Sequence, residues 1–386
     1  MSVVSRGAPP PREARISRSS FSHARRSGAF DGPAGWREPR YSVLFLFGLL
    51  LASCGLPQLL DFRGKAPELE IDSVEALTDD FHLYELPLWS PDGEAILLRR
   101  NVDSQKDFSQ GESAWEVVVL DLASGDFEVI AGPSLSTYPT WSPDSSEIAM
   151  MTFGDPSSSA QVVEVSDSYL SIYSRADGSW RHFPCEVCGW PLWLQDGSIL
   201  INRNLQDEFD GEQIYGTVLI DPNTGEMSNV QPFAGLERLN VVDPSAGRVS
   251  LGRYVVSKDG DRLLFNALTT ECSGVWSYQI GGAPPEPFID SPELAECDPS
   301  LSRDETRLVS TTKPYQEPES TQLVISNADG SSPATLLSTG GYPYTARYPS
   351  WSPDGERIAF VYGLFKSGNP AYSTLYVIDV PLELQP

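Results

Sequence analysis

The stretch LWSPDGEAILL, Leu88 to Leu98, decides the fold. Its centre, Ser90-Pro91-Asp92-Gly93, places each residue where a tight turn wants it. Pro91 presets φ for the second turn position, Ser90 and Asp92 reach nearby backbone amides, and Gly93 accepts the left-handed conformation. The apolar runs on either side, Leu86 to Trp89 and Ala95 to Leu98, are short and turn-bounded, as strands are. The stretch therefore encodes one β-hairpin. It recurs as SWSPDGERIAF at Ser350 to Phe360, as TWSPDSSEIAM from Thr140 and as LWLQDGSILIN from Leu192. Two fainter copies, VVSKDGDRLLF from Val255 and SLSRDETRLVS from Ser300, lose the Trp but keep the Ser, the Asp and the apolar triplet. Aligned on the Trp position, the copies fall at 89, 141, 193, 256, 301 and 351, spaced by 52, 52, 63, 45 and 50 residues.

Each copy has a second half, another strand running into another turn: VVVLDLASGDFEVI, LSIYSRADGSW, TVLIDPNTGEM, VWSYQIGGAPPEPF, LVISNADGSSPATLL and, last, LYVIDV. Four strands in about 50 residues is the pattern of a propeller blade. The expected fold is all-β, a six-bladed β-propeller of four-stranded blades. The sixth copy runs out after its third strand, at Asp379. The missing strand is expected from LEIDSVEALTDD, Leu69 to Asp80, which closes the ring without an exposed edge.

Pro87-Leu88-Trp89, Pro139-Thr140-Trp141, Pro191-Leu192-Trp193 and Pro349-Ser350-Trp351, each leading into the turn, resemble the PxWSPDG repeats of TolB-like propellers, which are related to WD40-like repeats. The resemblance covers roughly residues 69 to 386. It implies a fold and not an activity, because one fold hosts many functions. Members of that family are expected to carry a further N-terminal α/β domain, and prolyl-oligopeptidase relatives an α/β-hydrolase. The chain offers room for neither and has no G-x-S-x-G.

Residues 1 to 40 hold eight Arg, no Lys and three acids, and YSVLFLFGLLLASCG then supplies an apolar run of about a dozen residues, the length of a signal-peptide core. LASC, Leu51 to Cys54, looks like a bacterial lipobox, which implies cleavage before Cys54 and a lipid on its thiol. An ordinary signal peptide with a chance Cys, a misassigned start codon, and Arg25-Arg26 as a twin-arginine pair stay open. Residues 1–53 are read as signal peptide, 54–68 as a lipid-anchored tether and 69–386 as the propeller. Removing 1–53 takes away eight positive and three negative charges, so the net charge falls from −26 to −26 − 5 = −31. That excludes nucleic acid as a partner, since phosphate binding needs the opposite sign. It suits an extracytoplasmic domain held to the membrane by its N-terminal lipid. The acidic NLQDEFDGEQ, Asn204 to Gln213, does not match the spacing of an EF-hand loop.

Four further cysteines remain, Cys185, Cys188, Cys272 and Cys297; in an oxidising compartment an even count reads first as disulfides. With the SPDG turns on one face of the ring, all four fall on the other, where Cys185 can pair with Cys188 and Cys272 with Cys297. Catalytic signatures are sparse. Beyond residue 53 the histidines are His82 and His182 alone, and no nucleophile elbow, P-loop or H-E-x-x-H occurs. We expect no enzyme and no cofactor. A propeller presents a binding face around its axis, lined by residues just before each innermost strand: His82, Tyr84, Tyr138, Trp190, Arg253, Tyr254, Asp298, Tyr344, Arg347 and Tyr348. This mixture of aromatics with polar anchors is the chemistry of recognition sites. The repeat Trp residues read instead as packing between blades. The expected function is non-enzymatic binding of an envelope protein, a peptide or a glycan. The rival is an enzyme acting on carbohydrate or peptide with a carboxylate-bound cation in the channel, which predicts acidic side chains converging on the axis. A second rival places the contacts on long insertions such as Asn101 to Ser113 and Asp155 to Ser168.

Overall fold

A computed structural model describes residues 73–80, 82–101, 115–132, 137–153, 168–185, 188–204, 215–232, 242–243, 248–249, 251–257, 261–267, 275–279, 286–288, 294–314, 321–339, 344–364 and 372–386. All lie in the unit Arg63–Pro386. The signal segment, Cys54, the tether, Cys272 and the acidic stretch after Asn204 fall outside the described residues.

The repeats fold as six four-stranded antiparallel sheets. Blade 1 runs from the innermost strand Leu83–Trp89 through Ala95–Asn101 and Trp115–Asp121 to Phe127–Ala131. The innermost strands of blades 2 to 6 are Thr137–Trp141, Cys188–Trp193, Leu251–Val256, Leu294–Leu301 and Tyr344–Trp351. In blade 6 the third strand, Ser373–Asp379, is flanked by Val74–Ala76, with Val74 opposite Ile378 and Ala76 opposite Tyr376. The strand that completes the last blade thus comes from within Leu69 to Asp80, and the N-terminal segment closes the ring.

The turn chemistry repeats in four blades. In blade 1 the Ser90 hydroxyl donates to Asp92 and accepts from the Ala95 amide at 2.9 Å, while Asp92 accepts from the Glu94 amide at 3.0 Å. The same circuit forms around Ser142 and Asp144, Ser302 and Asp304, and Ser352 and Asp354. The glycine position is left-handed at Gly93, φ +80°, and stays so where Ser145 or Glu305 replaces glycine, each at φ +61°.

Between blades, each repeat Trp is buried against its predecessor. Trp141 packs with Leu97, Val117 and Val119 of blade 1 and donates its indole N–H to the Leu88 carbonyl at 3.1 Å. Trp193, Trp351 and Trp89 fill the seams 2/3, 5/6 and 6/1. A hydroxyl at the start of the third strand then stitches a blade to the next innermost strand. Ser373 accepts from the Tyr84 amide at 2.7 Å and donates to its carbonyl at 2.8 Å, and Thr321 accepts from the Ala346 amide at 2.9 Å. These bonds pay the polar cost of burying the strand entrances.

Candidate functional site

Every innermost strand loses register a few residues before the Trp position: four before it at Glu85/Leu88, Thr137/Thr140, Cys297/Ser300 and Arg347/Ser350, and five before it at Cys188/Pro191 and Leu251/Tyr254. This is a β-bulge repeated six times. Four residues at its centre, each preceding a proline, are left-handed: Leu86 (φ 55°), Tyr138 (56°), Asp298 (50°) and Tyr348 (56°). Such backbone costs about 1–3 kcal/mol per residue and is held only where surrounding structure enforces it. Bulges re-aim side chains, and here they set a ring of residues around the axis, within the innermost strands and not before them.

On the side of blades 1 to 3 that ring is apolar. The rings of Tyr138 and Trp190 stack with centroids 3.5 Å apart and planes at 16°. They line a cavity of about 50 Å³ together with Leu86, Leu88, Thr140 and Leu192. Alternate positions of three successive strands, third and first before the Trp position, supply these six residues.

On the side of blades 5, 6 and 1 it is charged. Arg347 Nε lies 3.3 Å from Asp298 Oδ2, its Cζ 4.6 Å from the Tyr348 ring centroid, and the Tyr348 amide approaches the same carboxylate at 3.4 Å. Asp298 is 2 % exposed. Across blade 1, Glu85 faces Arg99 at 3.6 Å, and the Arg99 Cζ lies 4.3 Å from the Trp115 ring and 5.5 Å from that of Tyr138. Burial pushes the Glu85 carboxyl up, with Arg99 and Arg347 opposing the shift and Asp298 adding to it. Burial likewise raises the Tyr138 and Tyr348 phenols, which stay protonated donors. The two guanidiniums, two carboxylates and two phenols form one electrostatic unit that reaches from blade 2 to blade 5.

Of the other residues named from sequence, Tyr84 is fully buried in the seam between blades 6 and 1. It donates to Asp80 at 2.7 Å and stacks on Phe127, away from the Tyr138–Trp190 pair. His82 Nδ1 lies 2.8 Å from Asp80 Oδ2, which pairs charge only when the ring is protonated. Burial works to raise the Asp80 pKa, but its bonds to Tyr84 and His82 hold it below the usual carboxylate value. Arg253, Tyr254 and Tyr344 lie in innermost strands of blades 4 and 6, their side chains outside what the structure describes. Cys185 is buried and Cys188 opens the innermost strand of blade 3, whereas Cys297 lies inside the innermost strand of blade 5 and not in a link. Sequence reading missed Glu85 and Arg99. Their signal was present: Glu85 and Arg347 both stand four residues before the Trp position.

No family model matches the chain. It is 24% identical over 290 residues to an uncharacterized protein of Agrobacterium fabrum, covering 72% of this chain and 84% of the relative. Among solved structures it is similar to a putative TolB from Agrobacterium tumefaciens, at 19% identity and TM-score 0.51 over 80% of this chain and 94% of that one. It is also similar to TolB from Acinetobacter baumannii, at 12% identity and TM-score 0.48, covering 77% and 63%. The fold is that of a TolB-like six-bladed propeller.

Proposed function

We propose that this chain is a non-enzymatic propeller of the bacterial cell envelope, lipid-anchored through Cys54, that binds a protein, peptide or glycan on its axial face. The observation that carries the reading is the stacked Tyr138–Trp190 pair over a small apolar cavity, set beside a charged cluster on strained bulges. Strain of this kind concentrates at functional sites. The likeness to TolB propellers and the apolar segment ending at Cys54 support the envelope location. Cys185 is disulfide-bonded, which supports an oxidising compartment, and Cys188, three residues on, is its natural partner. The test is a cross-linked pull-down of the lipidated protein from its own envelope beside a Tyr138→Ala, Trp190→Ala double variant. A partner captured by the parent and lost from the variant is expected; a partner retained equally by the variant would refute an axial site.

The rival enzyme reading has one observation in its favour: two carboxylates, Glu85 and Asp298, belong to the charged cluster. Each, however, faces a guanidinium, and among the described residues no group of three or more metal-ligating side chains forms. A calorimetric titration with Mn²⁺ or Ca²⁺ decides it, since saturable binding lost on Glu85→Gln would revive the enzyme.

A further inference from the structure

The axial face has two ends and two unlike sides, and together they restrict what it takes. At the hairpin end the inner rim is tied. Arg303, in the turn of blade 5, donates from Nη1 to the Pro91 carbonyl of blade 1 at 3.3 Å, reaching past blade 6, and the Asp92 amide bonds Ser145 Oγ of blade 2 at 3.2 Å. A guanidinium therefore bridges the turns of blades 5 and 1 there.

At the bulge end a ligand meets opposite chemistries side by side. The cavity against Leu86, Tyr138 and Trp190 is about 50 Å³, far below the roughly 300–1,000 Å³ of a drug-sized site, so it takes one side chain and not a folded epitope. On the charged side the accessible group is cationic. The Arg347 side chain is 31% exposed, while that of Asp298, which holds its Nε, is 3% exposed. An arriving molecule meets the guanidinium ahead of its counter-carboxylate. Glu85, the other acid, is 18% exposed and pairs with Arg99 at 3.6 Å.

We propose that this cup binds the C-terminal end of a polypeptide, with an apolar last side chain against Tyr138, Trp190 and Leu86 and the terminal carboxylate on the Arg347 guanidinium. The inference rests on the axial face being the binding site and names its ligand class. A chain end suits a cup whose hairpin rim is bridged; a loop threaded through the axis does not. Arg–carboxylate contacts are charge-assisted and directional, which lets a shallow pocket discriminate, and capture of a terminal carboxylate is a recurring recognition mode. A neutral glycan would add no charge to pair with the Arg347 guanidinium beyond Asp298.

The test uses the full chain and N-terminally labelled pentapeptides ending in Leu or Phe, read by fluorescence anisotropy, each as free acid and as C-terminal amide, with N-acetyl-leucine as competitor. Removing Arg347 alone would strand the buried Asp298 carboxylate, so the variant is Arg347→Gln with Asp298→Asn, its fold checked by near-ultraviolet circular dichroism. The free acids are expected to bind at least about tenfold more tightly than the amides, as loss of a charge-assisted bond implies, and the double variant to abolish that difference. Equal affinity of acid and amide overturns the proposal. So does N-acetyl-leucine competing as strongly as the unlabelled peptide, which would make the ligand a small apolar carboxylate. Absence of peptide binding up to about 1 mM, the weak end of specific affinity, overturns it as well. In each of these cases the pull-down with Tyr138→Ala, Trp190→Ala still decides separately whether the axial face binds anything.

Discussion

Gly93 and Gly363 are both required by geometry, but for different reasons, and substitution separates them. A Cβ on Gly93 would meet only Pro353 at 3.8 Å, an ordinary contact, so Gly93→Ala costs the left-handed backbone alone, about 1–2 kcal/mol. A Cβ on Gly363 would land on the Tyr372 carbonyl and on Ser373, backbone that cannot yield, so Gly363→Ala should cost about 3 kcal/mol or more, the upper range of overpacking. Urea denaturation of both variants checks the order. The turn carboxylates make a second prediction. Ser142 and Ser146 bonds lower the Asp144 pKa and Ser198 bonds lower that of Asp196; for Asp92, Asp304 and Asp354 burial pulls upward, but the serine and amide bonds outweigh it. Folded values below unfolded ones mean that this stability is present above the unfolded range, about pH 4, and is lost as pH falls through the folded values. Melting temperature should therefore drop on acidification below about pH 4, and drop less when Asp144 and Asp354 are both replaced by Asn.

Among the elements, the seams between blades carry the stability. Trp141 is 6% exposed and bonded to Leu88, so Trp141→Ala should cost about 3–5 kcal/mol, the usual range for a buried Trp. Blades 4 and 5 have Val256 and Leu301 where the others have Trp, leaving less apolar surface to bury in seams 3/4 and 4/5. Hydrogen exchange should accordingly be faster in Arg262–Ala267 than in Ala95–Asn101; the reverse order would show that the seams do not govern local opening. The hairpins, the blade count and the origin of the closing strand were all legible in the sequence, because Ser-Pro-Asp-Gly chemistry is local and its period is regular. The bulge was not, although Pro87, Pro139, Pro299 and Pro349 mark its place. Proline restricts the residue before it toward extended backbone, so the left-handed Leu86, Tyr138, Asp298 and Tyr348 run against the local rule and are imposed by tertiary structure. Tyr84 likewise looked like an axial residue by position, but strand alternation turns it into the 6/1 seam. The Asp298–Arg347 pair depends on which blades become neighbours, which no single repeat encodes, whereas Glu85 and Arg99 face each other across the hairpin of blade 1.

For the whole molecule, the account turns on one face of the ring. The long acidic chain offers solvated turns at its hairpins, and the ring of bulges gathers strain, stacked aromatics and paired charge around the axis. The most direct test is a photo-crosslinking amino acid placed at Trp190, in the axial stack, and separately at Val129, which is 48% exposed on the outermost strand of blade 1. After irradiation in the producing cell, adducts should form from position 190 and not from position 129. Adducts from 129 with none from 190 would contradict the axial binding face and move the contacts to the outer surface of the propeller.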